Sequence, residues 1–526
     1  MAEERARISI VDVPSRSRGG EKAPEERTVT IGLTLGALIL TLALGAGIRL
    51  WNIASVPPEL HPDEYAGWLG ITSMLAGKVQ PSVFLSYGVV YLPLYGIFEV
   101  LSSLLFGVTA TAFRLPAALL GTVTVLATGL VGYQFVPRRL VLLAAALTMA
   151  ILPWDISVSR IGWEPAAMLP FLLFGLYFLR RGLYASSSRD IILAFALLAI
   201  GAYSYRAESF YAATLTIALL AIEFERTRKV AQDLWIGLAV ALAILGPIAL
   251  SVIAQPHMLT SGPAQGTFDP GVNAGSLAEF LNLYTRHFAL SALFVTGDGN
   301  LQHGPPVGVL YPWMAPFILI GLLAPPGIFP LRARLFAVIW LLLYPFGGAL
   351  TDENGGQHFI RTLAGAPLFC ILGAIGLETT RGWIATLAAR YRWPATLANA
   401  WQPVLVAAVC VQFAQFCSAY FVRYPVQAAH IFHYGDRDVF AFVKAHDAGV
   451  ERVCFTSLDA WNYSAQTGFY MPGSTPALFG WMDPACKKAH TLLSLQNRSE
   501  APPGAQFLGT VQNYDGTSRA FFYRLP

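Results

Sequence analysis

Long apolar runs broken by short polar interruptions set the organisation of this chain. Thr28 to Ile48 contains no charged residue, enough to cross a bilayer at about 20 residues per span. The same pattern recurs along the chain and predicts eleven spans, at 29–50, 114–136, 139–154, 164–181, 190–206, 208–224, 232–254, 308–325, 333–351, 361–379 and 400–422. Several of these have short uncharged cores and reach membrane thickness only if their terminal Arg, Glu and Asp snorkel to the interface. Basic clusters favour the cytoplasmic side. Here they fall at alternate span ends: Arg138-Arg139, Arg180-Arg181 with Arg189, Arg226 to Lys229, Arg332 with Arg334, and Arg381 to Arg392. The intervening ends carry lone arginines among acids and histidines. The alternation places the N-terminus inside and the C-terminal region outside.

Two external regions are long, 51–113 and 255–307. Within the first, 86–107 is apolar enough to span, but a crossing there flips every later basic cluster up to Arg392 outward. Pro93 and Glu99 interrupt it, so it is expected to be a juxtamembrane or half-inserted helix. The second is rich in Gly, Pro, Ser and Asn, the composition of a functional lid. Residues 1–28 mix Arg and Lys with Glu, Gly and Pro and read as a disordered cytoplasmic tail. Past Arg423 the composition becomes that of a soluble domain, 424–526. A helix-like Asp436–Ala445, a strand-like Arg452–Thr456 and a hairpin signal at Asn513-Tyr514-Asp515-Gly516 predict a small α/β fold there.

Composition agrees with the periodicity. Of 526 residues, 55% are hydrophobic and 13% charged, where ordinary domains carry about 25% charged. Mean hydropathy is +0.53. The expected class is an all-α polytopic membrane protein with a small extracytoplasmic α/β domain, multi-pass in the plasma (inner) membrane. A net charge of +4 without one basic patch argues against a nucleic-acid partner. Cys370, Cys410 and Cys417 lie in apolar runs. Cys454 and Cys486 lie in the polar region, where a disulfide is open but not required. The first apolar segment is too long and too far from the start for a cleavable signal, and reads as a signal anchor.

The outer ends collect Asp63, Glu64, Arg114, Asp155, Arg160, Glu164, Arg206, Glu208, Asp298, His303, Asp352, Glu353, His358 and Arg361. Ionisable groups at membrane depth are costly and mark function or paired structure. Carboxylates deprotonate a hydroxyl or hold a cation, and arginines grip phosphate through paired donors. A site with both beside lipid suits a lipid-phosphate substrate. Structural roles remain open for each. Asp63 and Glu64 follow Pro62 and serve equally as the acidic first turn of a helix. Glu164 can cap its own span, Arg114, Arg206 and Arg361 can anchor or snorkel, and Trp154, Trp163, Tyr203 and Tyr205 suit an interfacial belt. His303 and His358 with the acids could hold a divalent ion, although no ligand spacing is diagnostic.

Four motifs in order give a resemblance: Asp63-Glu64 in the first external loop, Phe113-Arg114-Leu115-Pro116 opening the next span, Ser159-Arg160 followed by Glu164, and Gln357-His358-Phe359-Ile360-Arg361 before a later span. Across about 29–423 the chain resembles the GT-C superfamily of membrane glycosyltransferases. Within it, the nearest group is the dolichyl-phosphate-mannose protein mannosyltransferase-like family, which includes lipid A aminoarabinose transferases. Glu164 stands where many relatives carry Asp. The resemblance implies transfer of a sugar from a polyprenyl-phosphate carrier to an acceptor hydroxyl of a lipid, glycan or protein, outside the membrane. Asp63, Glu64 and Glu164 are then the catalytic candidates, and Arg114, Arg160, Arg206, His303, His358 and Arg361 the substrate-binding ones. No nucleotide is needed, in keeping with the lack of a Rossmann or P-loop motif. The competing class is a transporter or flippase for a polar or lipid-linked substrate, whose charges would converge at the midplane.

Overall fold

The computed structural model describes residues 24–78, 85–86, 90–91, 93–254, 274–350, 357–458, 463–471, 477–480 and 483–526. Asp352 and Glu353 lie outside them. Every predicted span contains a helix. Among the described residues, seven helical stretches are long and apolar enough to cross a membrane: Ile31–Leu50, Ala110–Phe135, Glu164–Ala185, Ala231–Ala254, Leu331–Ala349, Gly365–Tyr391 and Ala395–Ala428. Arg139–Ile151, Ser188–Gly201, Arg206–Ile222 and Met314–Leu322 supply the shorter helices. Their outward surfaces carry exposed Leu, Ile and Val, as on Leu33, Leu40, Leu242 and Val404. Lipid is the natural solvent for such faces.

Helix ends segregate by chemistry. At one end, Arg181 pairs with Asp190 (3.0 Å), and Glu223 receives Tyr184 Oη (2.8 Å) and Arg332 Nη1 (3.0 Å). These bonds knit the predicted basic clusters to each other. The opposite end holds the candidate acids with Arg114, Arg160, Arg206 and Arg361.

The 86–107 segment contains the helix Pro93–Phe106. Its 14 residues extend about 21 Å at 1.5 Å per residue, short of a hydrocarbon core about 30 Å thick. Tyr95 and Glu99 on its inner face are buried, while Leu101, Leu104, Leu105 and Phe106 are exposed. It packs on the helix Asp63–Leu75 through glycine on both sides. A Cβ on Gly96 would stand 2.8 Å from the backbone carbonyl of Gly67, inside contact distance, so any larger residue pushes the two helices apart.

Beyond the last long helix, Asp436–Ala445 is helical and five strands form one sheet in the order Ala477–Gly480, Arg452–Phe455, Thr491–Leu495, Ser518–Arg524, Gln506–Gln512. The first three run parallel and the last two join antiparallel. Asn513 N–H bonds Thr517 O (2.7 Å) across the turn between the last two strands in sequence, at the predicted hairpin. Cys454 and Cys486 form a disulfide. Phe469, from the helix Tyr463–Tyr470, stacks on Tyr65 at 4.2 Å, so this region meets the membrane helices in the same helical turn as Asp63.

Candidate active site

The adjacent acids Asp63 and Glu64 open the helix Asp63–Leu75 after Pro62, and the fold sends them opposite ways. Glu64 is fully buried. Its carboxylate accepts from Arg114 Nε (2.7 Å) and Nη2 (2.8 Å), from His61 N (2.9 Å) and from Gly162 N (2.8 Å). Arg114 spends its remaining donors on carbonyls, Nη1 on Ile53 O (3.0 Å) and Pro57 O (2.8 Å), Nη2 on Glu59 O. A guanidinium has five N–H groups, and all five are committed. Sequence reasoning offers Glu64 to catalysis and Arg114 to the substrate phosphate. In this structure the two instead clamp the 53–64 loop to the helix Ala110–Phe135.

Arg160 is placed likewise. It is buried, gives Nη1 to Ile48 O and Arg49 O (2.6 and 2.8 Å) and Nη2 to Val56 O (2.9 Å), and lies over the ring of Phe421 at 4.8 Å. Asp155, from the outer-face acids, is buried against Arg49, whose Nη1 also reaches Gly45 O and Ala150 O, both at 2.9 Å. Arg49 is not among the residues that the sequence singles out. Glu208 is buried with neither carboxyl oxygen hydrogen-bonded by the described residues.

A second group of charged side chains is linked by electrostatic interactions. Asp63 is partly exposed, and its Oδ2 accepts from Gln302 Nε2 at 2.8 Å. Glu164 lies within electrostatic reach of Asp63 and Arg206, and Arg206 within reach of Arg361. Arg206 is exposed at the N-terminus of its helix, Arg206–Ile222. Arg361 sits before the helix Gly365–Tyr391, its carbonyl 3.1 Å from the Tyr211 hydroxyl, which donates to Tyr344 O at 2.6 Å. Three electrostatic links thus join Asp63, Glu164, Arg206 and Arg361, which come from four separate stretches of chain.

His303 and His358 form the neighbouring wall. Their rings are 4.5 Å apart and tilted. His303 Nδ1 meets Asp298 Oδ2 at 2.6 Å, and the same oxygen accepts from Phe359 N at 3.1 Å. Burial alone would raise the Asp298 carboxyl, but His303 and the N–H groups of Phe359 and Asn300 hold it below the usual range. Burial lowers His287, which bonds Leu283 O through Nδ1 (2.8 Å) and takes His358 N–H on Nε2 (3.2 Å). A small cavity lined by Trp154, Ser157, Asp298, His303 and Phe359 lies here. Among the described residues, no three His, Cys, Asp or Glu side chains group as a metal site requires. Sequence reasoning missed His61, Gln302 and His287. Only His61 carried a local signal, its place two residues before Asp63.

Residues 93–250 match the family described as dolichyl-phosphate-mannose-protein mannosyltransferase. No curated protein matches the sequence significantly. In three dimensions the chain is similar to ArnT from Cupriavidus metallidurans bound to undecaprenyl phosphate, with a TM-score of 0.60 at 14% identity over 93% of this chain and 98% of that one. It is also similar to the oligosaccharyltransferase AglB from Archaeoglobus fulgidus in complex with an inhibitory peptide and a dolichol-phosphate. That match has a TM-score of 0.50 at 12% identity, over 85% and 64% of the two chains.

Proposed function

We propose that this chain, which has the GT-C membrane glycosyltransferase fold and carries a segment of the mannosyltransferase family, moves a sugar from a polyprenyl-phosphate carrier to an acceptor hydroxyl. The observation that supports the reading is the chain of electrostatic interactions from Asp63 through Glu164 and Arg206 to Arg361. The carrier's isoprenoid stays in lipid while its phosphate meets the two arginines. Asp63 takes the proton of the acceptor hydroxyl, whose oxygen attacks the anomeric carbon opposite the departing phosphate. Glu164 orients the donor sugar or acceptor beside Asp63. Charge that builds on the leaving phosphate is neutralised by donors already in place, the largest usual source of rate in a dry site. His303 and His358 border the same space and contact the sugar or the acceptor.

Glu64, Arg114 and Arg160 belong in this reading to the frame that holds Asp63. The site faces the extracytoplasmic side: the basic clusters lie at the opposite helix ends, and the Cys454–Cys486 disulfide suits an oxidising compartment. Charges gathered at helix ends rather than halfway along them disfavour a transporter.

The test is purified protein supplied with a panel of polyprenyl-phosphate sugars and hydroxyl acceptors, following release of the carrier phosphate. Arg361→Ala is expected to weaken donor binding about 10- to 100-fold, the loss of one charge-assisted contact of about 1.5–3 kcal/mol. Unimpaired donor binding by both Arg361→Ala and Arg206→Ala removes the phosphate grip. Transport of the lipid-linked sugar across vesicles without carrier release points to the flippase.

A further inference from the structure

We propose that His61 and His433 form the exit path for the proton that Asp63 gathers in each turnover. The inference deepens the proposed function and rests on Asp63 as the base. Glycosyl transfer from a phosphate carrier leaves a proton behind. The acceptor O–H bond breaks and its oxygen bonds the anomeric carbon. The carbon–oxygen bond to phosphate breaks with its electron pair on the phosphate, and the proton lands on Asp63. A base that keeps it is spent until the proton leaves.

The geometry supplies a route. His61 Nδ1 lies 3.2 Å from Asp63 Oδ2. The same nitrogen takes the backbone N–H of Asp63 at 3.2 Å, so the neutral ring accepts at Nδ1 and carries its proton on Nε2. A proton arriving on Oδ2 therefore lies 3.2 Å from an accepting nitrogen, to which it passes as the weak backbone N–H bond to that nitrogen gives way. The ring takes a proton at Nδ1 and yields one at Nε2, so the charge need not rest on it.

The next group belongs to the C-terminal region. The His433 ring is 5.6 Å from that of His61, close enough for one bridging water, and Phe432 packs edge-on against His61 at 6.0 Å. His433 adopts a positive φ of 51°, an uncommon backbone for a residue with a side chain. Its Nδ1 lies 3.6 Å from Oδ2 of the buried Asp436. Arg519 Nε (2.9 Å) and Gln466 Nε2 (2.6 Å) fix that carboxylate from two further elements. Among the described residues, the titratable groups around His61 are Asp63 and Glu64 on its own segment and His433, then Asp436, across the contact. Gln302, from the long external loop, is the neutral neighbour at 3.4 Å. His61 acts through Asp63 and touches no substrate; it is a positioning residue.

The experiment measures multiple turnovers of the full-length enzyme in weak buffer. His61→Gln is expected to slow turnover about 10-fold, below the 10²–10⁴ typical of losing the base itself, and added imidazole restores the rate where an equal concentration of a non-titrating salt does not. Turnover of the variant becomes dependent on buffer concentration, where that of the wild type does not. His433→Gln gives a smaller, equally rescuable loss, and carries the test if His61→Gln does not fold. A loss without rescue makes the histidines purely structural, and no loss in either variant removes the path. Full activity of Asp63→Asn instead sinks the reading of Asp63 as base, a different result.

Discussion

Changing Glu64 to Gln separates the two adjacent acids, because only one is committed to the frame. The Glu64 carboxylate accepts four hydrogen bonds, two from Arg114 and two from backbone N–H groups. An amide offers one oxygen and turns an NH₂ toward the donors that met the other. At least one bond becomes donor against donor, and the Arg114 charge loses its buried partner. Breaking a buried ion pair from one side costs about 3–5 kcal/mol, which corresponds to a melting temperature lower by roughly 3–5 °C in a chain of this length. The matching change at Asp63, which is partly exposed, leaves the frame intact. Asp63→Asn is expected to melt near the wild type while losing on the order of 10²–10⁴ in rate. Thermal unfolding in detergent and carrier-phosphate release, measured on the same preparations, give the two numbers. A Glu64→Gln protein as stable as wild type yet inactive would overturn the assignment and make Glu64 the base.

Glu59 makes stability pH-dependent. Burial pushes its carboxyl up to about 7 from an ordinary 4.5, against the pull of Arg437 and Arg114. The folded state then holds a proton that the unfolded chain releases. Stability is full below pH 4.5 and falls as pH rises through 7, by about 3 kcal/mol for a shift of this size. Glu59→Gln should flatten that slope in melts run from pH 5 to 8; an unchanged slope assigns the dependence to another group. The disulfide closes a sequence separation of 32 residues, worth about 3–4 kcal/mol in the chain-entropy picture. Cys454→Ser is expected to expose the C-terminal region to limited proteolysis while the membrane helices stay protected, and equal resistance with and without the bond shows that the sheet needs no cross-link.

The helical frame and the small C-terminal sheet were legible because both rest on local signals. Apolar runs and alternating basic clusters mark spans directly, and Asp436–Ala445 and the Asn513–Gly516 turn announce themselves within a few residues. Asp63, Glu164, Arg206 and Arg361 stand out in the sequence as candidates for one membrane face, since they fall at alternate span ends. What a buried guanidinium touches was not. Arg114 finds partners 50 to 61 residues away, and Arg160 finds them 104 to 112 away. No local pattern distinguishes an arginine that reaches a carbonyl from one that reaches a phosphate. Gln302 is a neutral loop residue 239 positions from Asp63, and nothing in its neighbours marks it.

The buried arginines have a shared physical cause. Between the first long helix and the helix Asp63–Leu75 the chain runs irregularly past two prolines, Pro57 and Pro58, at the lipid boundary, where a carbonyl without a donor costs several kcal/mol. Arg114 and Arg160 between them bond the carbonyls of Ile48, Arg49, Ile53, Val56, Pro57 and Glu59. They take the place of the hydrogen bonds that regular structure would have made. Gly121 allows this closeness: a Cβ there would stand 2.8 Å from Arg49 Nε and 2.4 Å from Ser159 Cβ. A loop held by guanidinium groups rather than by a ladder keeps its shape without covering its inner edge, and that edge carries Asp63. Arg114 and Arg160 thus build the wall through carbonyls, and in the proposed reading the phosphate is left to Arg206 and Arg361, which interact electrostatically with each other and, through Arg206, with Glu164.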